Sequence, residues 1–207
     1  MRSIPTRGRF ITLEGVDGAG KSTHIGRIRQ VLEARGLEVR LTREPGGTEL
    51  GERLRDLLLH RQMALSTETL LIFAARAEHI EQVIRPALRA GTWVLCDRFT
   101  DSTYAYQGNA RGLGMAAVAT LEQWVQGDLQ PDLTLLFDLP VEVSLARRKQ
   151  ASLELDRFEQ EDHDFFQRVR EGYRARALAD PERMRVIDAA LTPEEVGKAV
   201  EKIIESI

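Results

Sequence analysis

Apolar positions along the chain follow two alternating patterns: short runs, and longer stretches with an apolar residue every three or four positions. The runs Phe10–Leu13, Leu37–Thr42, Trp93–Cys96, Leu133–Phe137 and Arg185–Ile187 read as five strands. Between them, Lys21–Arg35, Thr48–Leu59, Thr67–Ala90, Met115–Gln126, Phe165–Ala179 and Pro193–Ile207 carry the helical period. Pro140 starts one more helix, at the first-turn position where a missing N–H costs nothing. Gly36, Gly91 and Gly127 close three of these helices, Thr48 is placed to cap another, and Pro86 alone interrupts the longest. Residues 99–113 are polar and glycine-containing, which predicts a short helix followed by a loop. Strand and helix in alternation predict an α/β fold, a five-stranded parallel sheet flanked by helices. No repeat, low-complexity tract or interdomain linker breaks the pattern, so residues 1–207 form a single expected domain.

The first strand leads directly into Gly15-x-x-x-x-Gly20-Lys21-Ser22 and then into a helix. Strand, glycine-rich turn and helix in this order form a phosphate-binding loop of the P-loop NTPase type. Glycines let the backbone N–H groups turn inward at a helix N-terminus and make a concave anion site. Gly15, Val16, Asp17, Gly18, Ala19, Gly20, Lys21, Ser22 and Thr23 are the candidate nucleotide cradle. Lys21 is expected to reach the β- and γ-phosphates, and Ser22 to offer its hydroxyl to Mg²⁺.

Composition narrows the classes of function. Of 207 residues 43% are hydrophobic and 29% charged, with a formal net charge of −3, so there is no overall basic footprint for nucleic acid. No apolar run approaches the length of a membrane span, and the opening residues 1–9 lack a signal-peptide core. The single cysteine, Cys96, sits inside an apolar run, reads as a core residue and fits a reducing, cytoplasmic compartment.

A nucleotide site does not name a reaction, so the other strand ends decide. Asp97 follows a clean apolar strand, where a carboxylate commonly positions Mg²⁺. Arg98 beside it and Arg43 after the second strand are guanidinium forks suited to phosphate oxygens. Two such arginines beyond the phosphate loop point to a second anion in front of the γ-phosphate, although exposed arginines also serve as ordinary salt-bridge partners. A guanine-specific switch is argued against, because the only asparagine, Asn109, is followed by Ala110, and Thr100 stands where such a switch carries glycine. Phe73, Arg76 and Ile80 share one helix face. They read equally well as core and as a platform for a planar base.

Together these residues resemble a family. Gly-Val-Asp-Gly-Ala-Gly-Lys-Ser-Thr (15–23), Arg-Glu-Pro-Gly-Gly-Thr (43–48), Phe-Ala-Ala-Arg-Ala-Glu-His (73–79), Asp-Arg-Phe (97–99), Ser-Thr-Tyr-Ala-Tyr-Gln-Gly (102–108) and Leu-Asp-Arg-Phe-Glu (155–159) are similar, in order and spacing, to the bacterial thymidylate (dTMP) kinases. The resemblance implies transfer of a phosphoryl group from ATP to dTMP with Mg²⁺, in a homodimer. It implies that Phe73 stacks on thymine, that Arg76 reads the O4 edge, and that Thr103 and Gln107 lie near the base. Tyr106 would sit where a ribose 2′-hydroxyl would be. Asp17 would approach the 3′-hydroxyl and the metal region, Arg43 and Arg98 the acceptor phosphate, and residues 188–191 the adenine. Residues 141–160 resemble that family's mobile lid, basic at Arg147, Arg148, Lys149 and Arg157 and acidic at Glu154, Asp156, Glu159 and Glu161. Gly18 occupies the loop position where some relatives carry a catalytic arginine, so the lid is expected to supply one, with Arg148 and Arg157 as candidates. Gln150 and Ser152 stand where lid-type relatives often carry arginine. The catalytic set is therefore Lys21, Asp17, Arg98, Arg148 and Arg157, with Ser22 and Asp97 as metal ligands. Two other readings stay open: a kinase for a different acceptor, and an ATPase switch with no acceptor.

Overall fold

The computed structural model describes residues 7–151, 157–158 and 160–207. Ser152, Glu154, Asp156 and Glu159 of the expected lid lie outside the described residues. In chain order the elements are β1 (Phe10–Glu14), α1 (Lys21–Ala34), β2 (Val39–Arg43), α2 (Glu49–His60), α3 (Leu65–His79) and, after a π-helical turn at Ile80–Ile84, α4 (Arg85–Arg89). Then come β3 (Trp93–Asp97), α5 (Thr100–Thr103), a second π-helical segment at Tyr104–Ala110, α6 (Met115–Gln126), β4 (Leu133–Asp138), α7 (Val141–Ala151), α8 (His163–Ala179), β5 (Met184–Asp188) and α9 (Pro193–Glu205).

The five strands form one parallel sheet in the order β2-β3-β1-β4-β5. β1 is central and wholly buried. Its alternate side chains feed two cores, as a pleated strand requires. Phe10 packs with Val94, Cys96, Phe99, Ile80, Ile84 and Leu88 on one face. Ile11 and Leu13 pack on the other with Ile28, Leu32, Val169 and Val200 from α1, α8 and α9. Each aliphatic side chain buried this completely contributes roughly 1.5–3 kcal/mol relative to exposure.

Several boundaries differ from the pattern-based expectation, each for a local reason. The second strand starts at Val39 rather than Leu37, because Gly36 and Leu37 close α1: their N–H groups bond the carbonyls of Glu33 and Leu32. Pro86 does not end its helix; the π-turn just before it accommodates the missing donor, and the helix runs on to Arg89. Residues 104–110 are helical rather than a loop, because Tyr104, Ala105, Tyr106 and Gln107 are buried there. Every strand runs one residue past its apolar stretch into a charged one: Glu14, Arg43, Asp97, Asp138 and Asp188. The carboxyl edge of the sheet thus carries five ionisable groups, at the edge where open parallel sheets bind ligands.

Candidate active site

Two cavities open at that edge, on either side of Asp17, which lines both. Asp97 faces one and Arg98 the other, so consecutive residues at the end of β3 serve different chambers.

The larger cleft, about 580 Å³, follows the phosphate loop from Asp17 to Thr23 and is completed by His24, Asp97, Arg147, Ala189, Leu191, Pro193 and Val196. Gly15 and Val16 lie beneath it, and their carbonyls accept from Lys21 Nζ at 3.0 and 3.3 Å. Gly15 has φ +136°, and a Cβ there would sit 2.5 Å from the Phe137 carbonyl oxygen; only glycine lets β1 turn this close to β4. Gly18, at φ +80°, abuts Ser144 of α7, so an arginine at 18 would be strained as well as crowded. Burial, and then the Arg98 guanidinium, pushes the Lys21 ammonium below its usual value. Asp97 Oδ1 is buried with no hydrogen-bond partner in the same cleft as Ser22. No group of three or more His, Cys, Asp or Glu side chains gathers at a metal-binding spacing among the described residues. One orphaned carboxylate oxygen and one hydroxyl nevertheless suit a cation that takes most of its ligands from phosphate and water.

The smaller cavity, about 110 Å³, is walled by side chains from α2, α3 and the helical stretch 100–110, from the turns that follow β1, β2 and β3, and by Phe158. Arg98 has the unusual φ of +69°. Its Nη2 bonds Asp17 Oδ1 at 2.6 Å, and its Nη1 bonds the Tyr173 hydroxyl at 3.0 Å and Ser102 Oγ at 3.3 Å. Burial alone would raise the Asp17 pKa, but Arg98 and then Lys21 overrule it and bring the carboxyl down to about 2. Arg98 itself is held protonated, chiefly by Asp17 against the cost of its burial. Behind them the fully buried Glu14 accepts from Phe99 N at 2.7 Å, Ser102 Oγ at 2.6 Å and the Tyr173 hydroxyl at 3.0 Å. Burial first, then the nearby Asp101, push its carboxyl up to about 7.

Burial of Arg76 is nearly complete, with only 2% of it exposed. It is affordable because Nε bonds Glu44 Oε2 at 2.7 Å, Nη2 bonds Thr103 Oγ1 at 3.0 Å, and Glu44 is shared with His79 Nδ1 at 2.8 Å. Arg76 Nη1 is buried with no partner. Thr103, Tyr106 and Gln107 line the cavity. Phe73 does not line it; it is buried with Tyr104 and Val118, one layer behind, with the Arg76 guanidinium 4.7 Å from its ring centre. Leu58, Ile72, Phe99 and Phe158 supply the apolar wall. Arg43 is half exposed and pairs with Glu52 at 2.7 Å, outside both cavities.

The two lid arginines fall on opposite sides. Arg148 lies beside Gly18, its guanidinium 4.2 Å from the Phe166 ring centre, and Arg147 Nη1 reaches the Gly18 carbonyl at 3.4 Å. Arg157 instead pairs with Glu68 at 2.6 Å and donates to the Leu58 carbonyl at 2.9 and 3.1 Å, beside the smaller cavity.

A sequence model of the thymidylate kinase family matches residues 13–200. A thymidylate kinase of Methylobacillus flagellatus is 61% identical over 194 residues, 94% of this chain and 95% of its own length. One from Cupriavidus metallidurans is 59% identical over 97% of this chain and its own full length. The crystal structure of thymidylate kinase from Ehrlichia chaffeensis superposes with a TM-score of 0.77 at 35% identity, covering 96% of this chain and 99% of that one. The chain belongs to the thymidylate kinase family.

Against the thymidylate kinase motifs, several lining or supporting residues carried no role in the sequence reading, among them Glu44, Arg55, Glu68 and Phe158. Glu44 stood inside the Arg-Glu-Pro stretch, where attention to arginine hid it. Arg55 and Phe158 sit among charges that also read as a solvated surface, and Glu68 is a lone charge at the start of a helix; only the tertiary structure turns the three inward.

Proposed function

We propose that the larger cleft holds Mg²⁺·ATP and the smaller cavity dTMP, and that the protein transfers the γ-phosphoryl group between them to give ADP and dTDP. The observation that carries this is the shared wall at Asp17, with Asp97 turned to the donor side and Arg98 to the acceptor side. A phosphate oxygen of dTMP attacks the γ-phosphorus as the bond from that phosphorus to the bridging oxygen of ADP breaks, so catalysis is mostly positioning and charge neutralisation. Lys21 leaves its carbonyl partners for the β- and γ-phosphates. Arg98 holds the acceptor phosphate, already protonated and oriented by Asp17, Ser102 and Tyr173. Ser22 and Asp97 would hold Mg²⁺, which when bound neutralises charge on the β- and γ-phosphates. We assign the lid's contact with the transferring group to Arg148, supported by Arg147, and give Arg157 to the acceptor side. Arg43 reaches the acceptor phosphate only by releasing Glu52.

The buried donor at Arg76 Nη1 supports recognition of a base carbonyl, and the closeness of Tyr106 to Asp17, 3.4 Å, supports a tight sugar site. Leu50 and Leu57 of α2, Leu70 of α3, and Met115 and Trp124 of α6 are large exposed apolar side chains on neighbouring helices, and they support a homodimer through this face. Among the described residues no helix is long and apolar enough to cross a membrane. We read the chain as one cytoplasmic domain.

The decisive assay follows ADP release with Mg²⁺·ATP and each of dTMP, dCMP, dGMP and dAMP, with an acceptor-free blank. Turnover with dTMP well above all others is expected. Equal release in the blank would overturn the two-chamber reading. Sedimentation at micromolar concentration tests the dimer, with Trp124→Glu expected to shift it to monomer.

A further inference from the structure

The polar atoms that would read the base are each set by a buried carboxylate. Glu44 takes Nε of Arg76 and leaves Nη1 as an unpaired buried donor. Glu68 on α3, 1% exposed, has not so far been given a role in substrate choice. Its Oε1 accepts from Gln107 Nε2 at 2.8 Å and lies 3.2 Å from Arg111 Nε; its Oε2 pairs with Arg157 Nη1 at 2.6 Å. A carboxylate only accepts, so the Gln107 group that faces it is the NH₂ group. That leaves Gln107 Oε1, which has no hydrogen-bond partner among the described residues, as the amide atom available to the cavity that Gln107 lines.

We propose that Glu68 is a positioning residue that fixes the sense of the Gln107 amide, so that the acceptor site presents a donor at Arg76 and an acceptor at Gln107, and thereby selects a pyrimidine with a carbonyl next to a ring N–H over one with an amino group next to a bare ring nitrogen. The inference rests on the acceptor-site reading above. Thymine and uracil carry the matching edge. Cytosine carries the reverse, and would set donor against donor and acceptor against acceptor. Arg111 and Arg157 hold the buried Glu68 side chain in place, so the lid-proximal residue 157 contributes to base choice without touching the base.

The test compares kcat/KM for dTMP, dUMP and dCMP in the wild-type protein and in Glu68→Gln. An amide at 68 can donate as well as accept, so the Gln107 amide is free to turn over. The dTMP:dCMP ratio is expected to fall about tenfold or more, the scale of one buried hydrogen-bonding group no longer misdirected against the wrong base. The dTMP:dUMP ratio, which does not depend on the amide's sense, is expected to stay unchanged. A uniform loss for all three acceptors, or an unchanged dTMP:dCMP ratio, overturns the proposal. If Glu68→Gln does not fold, the wild-type protein carries the test by NMR. The Gln107 side-chain NH₂ is then expected to be protected from solvent exchange both before and after dTMP binding, and rapid exchange overturns the proposal. Wild-type protein that fails to turn over dTMP removes the acceptor-site reading itself, and is seen before any variant is made.

Discussion

The donor cleft and the acceptor cavity share Asp17 but are built from different materials. On the donor side the working groups are backbone N–H groups of one contiguous loop, and the specialised residues are the glycines that let it curl. On the acceptor side they are side chains brought from α2, α3, the helical stretch 100–110 and the turns that follow β1, β2 and β3, held by buried ion pairs such as Arg76–Glu44 and Arg157–Glu68. A cradle of backbone suits a phosphate chain that every ATP-using enzyme shares. Side chains with fixed donors and acceptors suit a base that must be told from its relatives. The difference also sets fragility: the loop depends on local geometry, the cavity on pairings across the fold.

The largest test of that contrast is Glu44→Ala. It leaves Arg76 charged and buried without its partner, and is expected to cost on the order of 3–5 kcal/mol of stability by chemical denaturation. ATP-analogue affinity of the folded fraction should be unchanged. A weakened donor side would mean the two chambers are not independent. Next comes Lys21→Ala, expected to lower kcat by roughly 10²–10³-fold or more, as lost transition-state charge stabilisation does. Calorimetry should find dTMP binding near normal. Smaller, and sharper, is the split between the lid arginines. Arg148→Ala should reduce kcat by about tenfold with little change in KM for dTMP, whereas Arg157→Ala should mainly raise that KM. Steady-state kinetics that show the same pattern for both would erase the division of the lid. The smallest effect concerns Glu14. Its carboxyl binds a proton more tightly in the folded protein, with a pKa of about 7 against the ordinary 4.5, so its contribution to stability falls as pH rises through that window. Glu14→Gln should remove this slope, and denaturation at pH 5 and pH 8 would show a smaller difference between the two pH values than in the wild type.

How much of this could be read from the chain follows the same division. The strand-loop-helix of residues 10–34 is local, and hydrophobic period plus glycine placement located it to within a residue. The other strands and the long helices were legible for the same reason, each burying a face whose period is visible, but residues 104–110 read as a loop and are helical. Arg76 was harder. Its helix face was evident, but not that Glu44, 32 residues earlier, neutralises it, so the sequence left core and base platform as equal readings. Phe73 is buried in a cluster with Tyr104 and Val118, partners 31 and 45 positions along the chain that no local spacing reveals. Arg157 and Phe158 lie in a run of charges whose period says only that it is hydrated. The Glu68 carboxylate that recruits Arg157 is 89 positions away, and no spacing rule reaches that far.

The backbone at Arg98 sits where side chains larger than glycine are disfavoured, at a cost of order 1 kcal/mol. Glycine at 98 would relieve that cost but forfeit the ion pair to Asp17 and the bonds to Ser102 and Tyr173, so the exchange would lose stability as well as turnover. The strained turn at 98 is thus a latch: the bonds that aim the guanidinium into the cavity are the same ones that keep the backbone there from relaxing.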